Sequence, residues 1–506
     1  MFPIGQRKND QTIAMNNLDY FVLILYVVIL LGIGAWAYKR VSSSADFYTA
    51  GGKLPWWLSG ISHHVSGHSG VVFVAYAAIA YSYGFTIYVW WAFGISMAMI
   101  GTTFFIAPRW ARLRSKTGIQ SPTEYLSTRY NLPTQQIMAW SGVLIKLFDI
   151  AAKWASIGIL LNVFTGISIM VGMIISGIVT LIYITIGGLW ADVVNDLFGF
   201  VIQVISGLIM FSLVLFHLGD GISGIFTLWD RLPEGHGSLF NGPYTSGFTL
   251  GFMLIAFFSY SGGTWNLATR FISSSSGSEA RKASLLSAAL YLIWPLVLFF
   301  PMWAAPVFFE NLENPEESYS LMALQFLPNG LIGLLLASLF STTLSMVASD
   351  SNTISAVISR DILPVFFKKL KAFSQRQALT AARITTFLFI LITIIIAIYS
   401  NTFGGVVGLV IVWFSALVGP IAVPMILGLL PIFRRSNSFV AIASILGGLI
   451  TFILSKTVWE VSYAWELSGP VVISLLIFVL LPFLLKSEPS EQVDQLLSGL
   501  NKDDDK

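Results

Sequence analysis

A dense run of hydroxyl side chains, with one carboxylate, lies inside an apolar segment of this chain. Its members are Ser341, Thr342, Thr343, Ser345, Ser349, Asp350, Ser351 and Thr353. Such oxygens, with carbonyls freed where a helix unwinds, are the hard ligands that a desolvated alkali cation needs. Asp196, near the start of another apolar segment, could complete such a site. Hydroxyls in membrane helices also bond their own i−4 carbonyls, but a run this dense that includes Asp350 favours an ion site.

Three charged residues lie within a second apolar segment. Lys146, Asp149 and Lys153 are spaced by three and four residues, so they share one helical face and can pair along it. Charge inside a membrane is costly, which makes such residues functional candidates. A purely structural ion pair that orients the helix remains an equal alternative.

Glycines interrupt two further apolar segments at comparable places. Gly60, Gly67 and Gly70 lie in one, and Gly262 and Gly263 lie in the other. Polar residues crowd the same places: Ser62, His63, His64, Ser66, His68 and Ser69, and then Ser259, Tyr260, Ser261, Thr264 and Asn266. Glycine in membrane helices often only permits close packing. The added polarity favours two broken helices, and such pairs indicate the binding site of a transporter.

Aromatic residues flank this proposed site: Trp56, Trp57, Trp90, Trp91, Tyr260 and Trp265. Their rings could stack on a sugar or an organic cation, although several belong to interfacial belts. The residues Gly67-His68-Ser69-Gly70 also resemble the serine elbow of rhomboid-type intramembrane proteases, with His63 or His64 as base. Four residues are a weak signal, and the chain has far too many apolar segments for that class.

The elements that must position these residues are membrane helices. The 506 residues are 56% hydrophobic and 10% charged, with a mean hydropathy of +0.78, whereas about a quarter of a soluble domain is charged. The apolar residues form blocks of about 20, the length that spans a bilayer core. Helices rather than strands fit these blocks, so we predict an all-α polytopic membrane protein with about thirteen transmembrane helices.

The predicted spans are 18–38, 55–82, 84–108, 136–164, 168–187, 191–217, 248–270, 283–309, 328–356, 378–399, 404–430, 438–456 and 468–486. The two broken spans are five helices apart. Because five is odd, the two halves must be inverted relative to each other.

Basic residues occupy alternate loops. Arg109 to Arg129 follow the third span and Arg360 to Arg376 follow the ninth, whereas the 309–320 loop is acidic. The positive-inside rule then places the N-terminus outside and the C-terminus in the cytoplasm. The first span lacks a cleavage site and is predicted to be a retained helix. We expect one membrane domain over 1–486 and a polar, disordered cytoplasmic tail over 487–506; the absence of cysteine excludes disulfides.

Several motifs resemble the sodium/solute symporter family, which includes bacterial sodium-coupled sugar, sialic acid and proline transporters. Asp46 to Trp57 resembles the segment before core helix 1, and Gly187-Gly188-Leu189 with Asp196 resembles core helix 5. Ser345 to Asp361 is similar to core helix 8, and Leu417-Val418-Gly419-Pro420 to core helix 10. The resemblance covers roughly 40–430. It implies the LeuT-like fold of two inverted five-helix repeats, 55–217 and 248–430, with broken first and sixth core helices.

The resemblance also implies a sodium site between core helices 1 and 8. The matching ligands are the carbonyls of Val65, His68 and Thr342 and the hydroxyl of Ser345. Met346 stands where a second hydroxyl is common, and a thioether is a poor ligand for a hard cation. A displaced ion using Asp350, or proton coupling, therefore stays open. A second sodium would match Asp196, Ser345 and Ser349, with Ala348 replacing another hydroxyl.

The family's solute contacts fall on Gly67, Ser69, Val72, Trp91, Asp149, Tyr260, Thr264 and Val412. Trp91, Val72 and Val412 replace the Glu and Gln of a galactose transporter. Asp149 replaces the Arg that binds the carboxylate in a sialic acid transporter. A carboxylate there repels acids and favours polyhydroxyl or cationic solutes.

We therefore expect a sodium-coupled symporter of a small polar solute, a sugar or polyol, rather than an enzyme. Proton coupling through His63, His64, His68 or Asp149, transport of an amino acid or organic cation, and a membrane solute sensor are the alternatives. The partners expected are Na⁺, the solute and the lipid bilayer of the bacterial inner membrane. We expect no nucleic acid partner and a functional monomer.

Overall fold

The computed structural model describes residues 15–399, 418–486 and 488–501. Within these ranges the regular structure is helical, and the backbone forms only isolated β-bridges such as Leu54 to Ser274. The predicted all-α class is confirmed.

The helices, in chain order, are α1 (Asn17–Tyr38), α2 (Ser44–Thr49), α3 (Trp56–Val65), α4 (Ala77–Tyr83), α5 (Gly94–Phe105), α6 (Ala107–Thr117), α7 (Leu126–Arg129), α8 (Leu132–Thr165), α9 (Ile169–Leu218), α10 (Gly224–Thr227), α11 (Ser246–Phe258), α12 (Asn266–Ile272), α13 (Gly277–Phe308), α14 (Ser318–Phe326), α15 (Leu331–Ala356), α16 (Leu363–Phe366), α17 (Gln375–Ile398), α18 (Gly419–Leu427), α19 (Ser438–Thr457), α20 (Tyr463–Leu485) and α21 (Glu491–Gly499). Single π-helical turns adjoin α4, α5, α11 and α15, at Val72–Tyr76, Tyr88–Phe93, Ser259–Gly263 and Val357–Ile362 respectively.

Eight helical stretches in the described ranges are long and apolar enough to cross a membrane. The predicted total of thirteen is not reached by that measure, for reasons that lie in the chain. The second and seventh predicted spans are broken, α8 carries three charges, and two spans are joined in α9. The predicted span 404–430 lies partly outside the described residues.

Helix α9 joins the predicted spans 168–187 and 191–217 through a bend. Fifty residues of straight helix would be about 75 Å long, more than twice a bilayer core of about 30 Å. Gly188 has φ 55° and ψ −150°, which is not helical. A Cβ at Gly188 would lie 2.6 Å from the carbonyl oxygen of Phe47, so the bend packs directly on α2.

The short helix α2 lies in the segment that resembles the entry to core helix 1. Ser43 caps it, and Asp46 accepts hydrogen bonds from the backbone and hydroxyl groups of Ser42 and Ser43. Burial raises the pKa of Asp46, but those hydrogen bonds outweigh it and hold the pKa below its ordinary value.

Helix α15 forms the centre of the molecule, and α1 lies at its edge. In the most apolar window of the Leu331–Phe366 stretch 89% of residues are buried, against 22% for α1. Phe21, Ile24 and Val28 on α1 are exposed, as expected where lipid is the solvent. The hydroxyl and carboxylate side chains from Ser341 to Thr353 on α15 therefore lie in the interior, whereas the exposed side chains of α1 are apolar.

The tail does not behave as predicted. Residues 488–501 were expected to be disordered, but they contain α21, capped by Ser490. Val493, Leu497 and Leu500 are buried in the main apolar core. Arg112 donates to the carbonyl oxygens of Leu500 and Asn501, each at 3.1 Å. The apolar spacing three and four residues apart is the amphipathic signal that the sequence interpretation overlooked.

Candidate functional site

The predicted break in the second span is present between Val65 and Gly70. Helix α3 ends at Val65, and the chain resumes helical form at Gly70, just before the π turn at Val72. A break frees backbone carbonyls that must find partners, because water is scarce there. Three side chains from other helices take them up: Tyr291 donates to His64 at 2.9 Å, Asn266 to Ser66 at 3.1 Å, and Tyr260 to Gly67 at 3.0 Å.

The second predicted break lies between α11 and α12. Gly262 has φ 117°, and Trp265 has φ 68°, a left-handed conformation that side chains other than glycine rarely adopt. Such a residue costs roughly 1–3 kcal/mol and is commonly found at functional sites. The two breaks contact each other directly, since the hydroxyl of Tyr260 donates to the carbonyl oxygen of Gly67 at 3.0 Å.

A cavity lies where the breaks meet, and about 520 Å³ of space between its walls, including the open space at its mouth, is not filled by protein atoms. We call it the main cavity. Its walls include seven of the eight predicted solute contacts, namely Gly67, Ser69, Val72, Trp91, Asp149, Tyr260 and Thr264. Val412 lies outside the described residues. Tyr76, Lys153 and Met346 also line the cavity and were not predicted as solute contacts.

The predicted charge face of α8 is real, and Asp350 joins it. Lys146 Nζ lies 2.7 Å from Asp149 Oδ2 and 2.6 Å from Asp350 Oδ1. Lys153 Nζ lies 2.9 Å from the same oxygen of Asp149 and contacts Asp350 Oδ2. We call these four side chains the lysine–aspartate ring. It is buried and contains equal numbers of positive and negative charges.

A second buried charge cluster surrounds Arg270 of α12, and we call it the arginine cage. Arg270 Nη2 donates to Asp192 Oδ2 at 2.6 Å and Ser66 Oγ at 2.8 Å, and it contacts Ser349 Oγ. Asp196 Oδ2 is 3.3 Å from the same nitrogen. All of these side chains are buried. Two carboxylates face one guanidinium, so the cage carries an excess negative charge when both are ionised.

Ser345 lies at the other face of those two carboxylates. Its hydroxyl is 3.0 Å from Asp192 Oδ1 and also contacts Asp196 Oδ1. A hydroxyl has one proton, so Ser345 can donate to only one of the two oxygens. The second carboxylate oxygen therefore needs a positive charge or a proton at this point.

The structure separates the predicted ion ligands into different places. Asp196, Ser345 and Ser349 come together in the arginine cage, while both oxygens of Asp350 are held by lysines. The hydroxyl of Thr342 bonds its own helix at Ser338 and Leu339, as membrane hydroxyls commonly do. The amide nitrogen of His68 lies 3.4 Å from the carbonyl oxygen of Val65 at the break.

Of the three histidines near the first break, His63 and His68 make hydrogen bonds to other helices. His63 Nδ1 lies 2.8 Å from Ser287 Oγ of α13, and His68 Nε2 lies 3.4 Å from Nε2 of Gln203 on α9. His68 Nδ1 lies 2.9 Å from the carbonyl oxygen of His64 in its own segment. Within the described residues neither ring nitrogen of His64 has a hydrogen-bond partner. His63 and His68 therefore act first as helix-to-helix hydrogen bonds.

The sequence interpretation missed Asp192 and Arg270. Asp192 and Asp196 are four residues apart in one apolar span, which places both on one helical face. Arg270 ends a predicted span, where a charged residue reads as interfacial. Arg270 is buried because the fold places its guanidinium between Asp192 and Asp196 of α9 and Ser349 of α15.

Comparison with known proteins agrees with the geometry. A family model described as "Sodium:solute symporter family" matches residues 47–448. The sodium/sialic acid symporter NanT of Aliivibrio fischeri is 23% identical, covering 97% of this chain and 98% of the relative. The sodium/sialic acid symporter SiaT of Proteus mirabilis is 24% identical, covering 87% and 89%. A sodium/glucose cotransporter of Vibrio parahaemolyticus is 25% identical, covering 69% of each chain.

Solved structures show the same fold. A substrate-bound, outward-open Na⁺-coupled sialic acid symporter superposes with a TM-score of 0.81 at 20% identity, covering 94% of this chain and 99% of the other. Mhp1, a nucleobase-cation-symport-1 family transporter, superposes with a TM-score of 0.58 at 14% identity, covering 91% and 99%. The predicted LeuT-like architecture with two broken helices is confirmed.

Proposed function

Because this chain belongs to the sodium:solute symporter family, we propose that it takes up a neutral sugar or polyol together with sodium through the main cavity. The chain is a multi-pass membrane transporter with Na⁺ as its coupling ion, and it is not an enzyme. The identity of the solute is the proposal. Asp149 is the observation that carries it.

Asp149 offers an acceptor to the cavity. Both lysines of the ring contact its Oδ2 atom, which leaves Oδ1 without a hydrogen-bond partner among the described residues. Lys153 lies beside it in the same wall. A carboxylate acceptor next to an ammonium donor suits hydroxyl groups, because each hydroxyl both donates and accepts.

The charge balance of the ring argues against a cationic solute. Asp149 alone would attract cations, which is why the sequence left organic cations open. Lys146 and Lys153 neutralise Asp149 and Asp350, so the wall has no excess charge to attract either a cation or an anion. Trp91 and Tyr260 supply aromatic rings for the apolar face of a sugar.

The arginine cage is the place where we propose that sodium binds. Its excess negative charge is costly in a buried site unless a cation neutralises it. Asp192, Asp196 and Ser345 provide three hard oxygens that converge there. The predicted carbonyls of Val65, His68 and Thr342 remain further candidate ligands, whereas Ser349 contacts Arg270 instead.

Sodium and solute sites share the two helix breaks. Ser66 of the first break belongs to the cage, and the next residue, Gly67, lines the main cavity. Arg270 of α12 belongs to the cage, and Thr264, in the break that precedes α12, lines the main cavity. A sodium ion that orders the cage thus orders the cavity walls, which lowers the cost of binding the solute. Movement of the broken helices would then expose both sites to the other side of the membrane.

Uptake by purified protein in proteoliposomes tests this function. We expect an inward sodium gradient to drive accumulation of at least one of D-glucose, D-galactose and D-mannitol. N-acetylneuraminate and a quaternary amine serve as the acidic and cationic controls. Accumulation that ignores sodium and follows a pH gradient would contradict the mechanism. Accumulation of N-acetylneuraminate alone, or of the quaternary amine alone, would contradict the solute class.

We also propose that the protein functions as a monomer, with its N-terminus outside and its C-terminus in the cytoplasm. The basic loops, including Arg109, Arg112 and Arg360, support this orientation.

A further inference from the structure

A second cavity lies next to the main cavity, separated from it by Thr264. About 270 Å³ of space between its walls is not filled by protein atoms, a figure that includes the open space at its mouth. Its walls are Gly142, Ile145, Lys146, Gly263, Thr264, Trp265, Val418 and Ile421. Thr264 is the residue that lines both cavities. The main cavity therefore ends at Thr264 in the second helix break, and the second cavity begins on the other side of that residue.

The lysine–aspartate ring connects the two cavities. Lys153 and Asp149 line the main cavity, and Lys146 lines the second one. Both ammonium groups contact the same oxygen of Asp149, at 2.9 and 2.7 Å. A solute hydroxyl that bonds Lys153 in the main cavity can thus pass to Lys146 in the second cavity, because Asp149 joins the two ammonium groups.

The walls of the second cavity combine a few polar groups with apolar side chains. They combine an ammonium group, the hydroxyl of Thr264 and the indole of Trp265 with apolar residues, as small-solute sites generally do. The indole packs against bare backbone, because a Cβ at Gly142 would lie 2.0 Å from its Cη2 atom. Glycine at 142 is therefore required for the indole to stay where it is.

Position along α8 gives the cavity its place in the transport path. Helix α8 begins after the loop that the positive-inside rule places in the cytoplasm, and Lys146 precedes Lys153 along it. The second cavity thus lies on the proposed cytoplasmic side of the main one.

We propose that the second cavity is a further solute subsite on the route to the cytoplasm. In this subsite the ammonium group of Lys146 donates to hydroxyl groups of the solute instead of to Asp149. The indole of Trp265 packs against the apolar face of the solute. This inference rests on the proposed function, since it assumes a polyhydroxyl solute. It adds a site between the main cavity and release.

Single cysteines test the subsite cleanly because the natural chain contains none. Ile145→Cys reports on the second cavity and Val71→Cys on the main cavity. The protein is alkylated with N-ethylmaleimide in sodium, with and without whichever of D-glucose, D-galactose or D-mannitol raises its melting temperature. At ten times the dissociation constant, we expect that sugar or polyol to slow alkylation of both cysteines by about tenfold.

Gly142→Ala separates direct occupancy from a general closure. The added methyl group pushes the indole into the second cavity, so protection of Ile145→Cys should disappear while protection of Val71→Cys remains. Gly32→Ala is the matched control, because a Cβ there meets no atom within 4 Å. If Gly142→Ala does not fold, the wild-type background still provides the overturning result, which is alkylation of Ile145→Cys that the solute does not slow.

The outcomes keep the two proposals apart. Protection at Val71→Cys without protection at Ile145→Cys would overturn the subsite and leave the main cavity intact. Protection of Ile145→Cys that survives in Gly142→Ala would also overturn it, since closure would then be the cause. A protein that none of the three solutes stabilises or protects would overturn the proposed function itself.

Discussion

At the residue scale, the balance of charge in two buried clusters decides what this site can bind. The lysine–aspartate ring is neutral, whereas the arginine cage has two carboxylates for one guanidinium. The two clusters share α15, where Asp350 belongs to the ring and Ser345 and Ser349 belong to the cage. One helix thus presents the proposed solute contacts and the proposed sodium contacts on different faces.

Asp149→Asn should weaken solute binding. The substitution replaces a charge-assisted hydrogen bond, worth about 1.5–3 kcal/mol, so the dissociation constant should rise by roughly tenfold or more. Isothermal titration of the solute in saturating sodium measures it. Asp149→Asn also leaves the ring with an excess positive charge, so Lys146→Met/Asp149→Asn is the control that restores neutrality. Equal affinity in wild type and both variants would show that Asp149 does not contact the solute.

Asp196→Asn should weaken sodium binding. It removes the excess negative charge of the cage and leaves Asp192 paired with Arg270. We expect the sodium concentration for half-maximal uptake to rise by about tenfold, and Ser345→Ala to act in the same direction. Ser349→Ala is the matched control, because the hydroxyl of Ser349 contacts Arg270 and Ser66. A larger effect in Ser349→Ala than in Asp196→Asn would move the ion to Ser349.

At the scale of elements, the two broken helices depend on tyrosine hydroxyls. Tyr260 and Tyr291 donate to carbonyls that the first break leaves free. Both tyrosines approach so closely because Gly67 has no side chain. The polarity of the first break is therefore satisfied by helices that come later in the chain.

Gly67→Ala should block solute binding through this contact. A Cβ there would lie 1.9 Å from the hydroxyl oxygen of Tyr291, and such overpacking typically costs about 1–3 kcal/mol. Removing that oxygen should relieve the clash, so Gly67→Ala/Tyr291→Phe should recover part of the uptake and melting temperature lost in Gly67→Ala. A double variant worse than either single one would contradict this account of the break.

At the scale of the whole molecule, the orientation in the membrane follows from the loops. Glu313 lies in an acidic loop and Lys369 in a basic one. In intact cells, Glu313→Cys should react with a membrane-impermeant maleimide, and Lys369→Cys should react only after permeabilisation. The reverse pattern would invert the proposed topology. The natural chain has no cysteine to confuse the readout.

The membrane class and both helix breaks followed from the sequence, and the resemblance to the symporter family implied most of the residues that line the main cavity. Apolar blocks of about 20 residues can satisfy their backbone hydrogen bonds in lipid as helices, so the length of these blocks predicts the fold class. Glycines clustered with polar residues at Gly67 and Gly262 mark breaks because a continuous apolar helix tolerates neither feature well. Local pattern also placed Lys146, Asp149 and Lys153 on one face.

Only the tertiary structure decided which charges are partners. Asp350 is about 200 positions from Lys146, and Arg270 is 74 positions from Asp196. Periodicity reports which face of a helix is polar, but not which other helix covers it. The packing of α8 against α15 makes Asp350 a lysine partner, and the packing of α12 against α9 puts Arg270 between two aspartates. Buried charge is stable only when it is paired, and the pairing is a property of the fold.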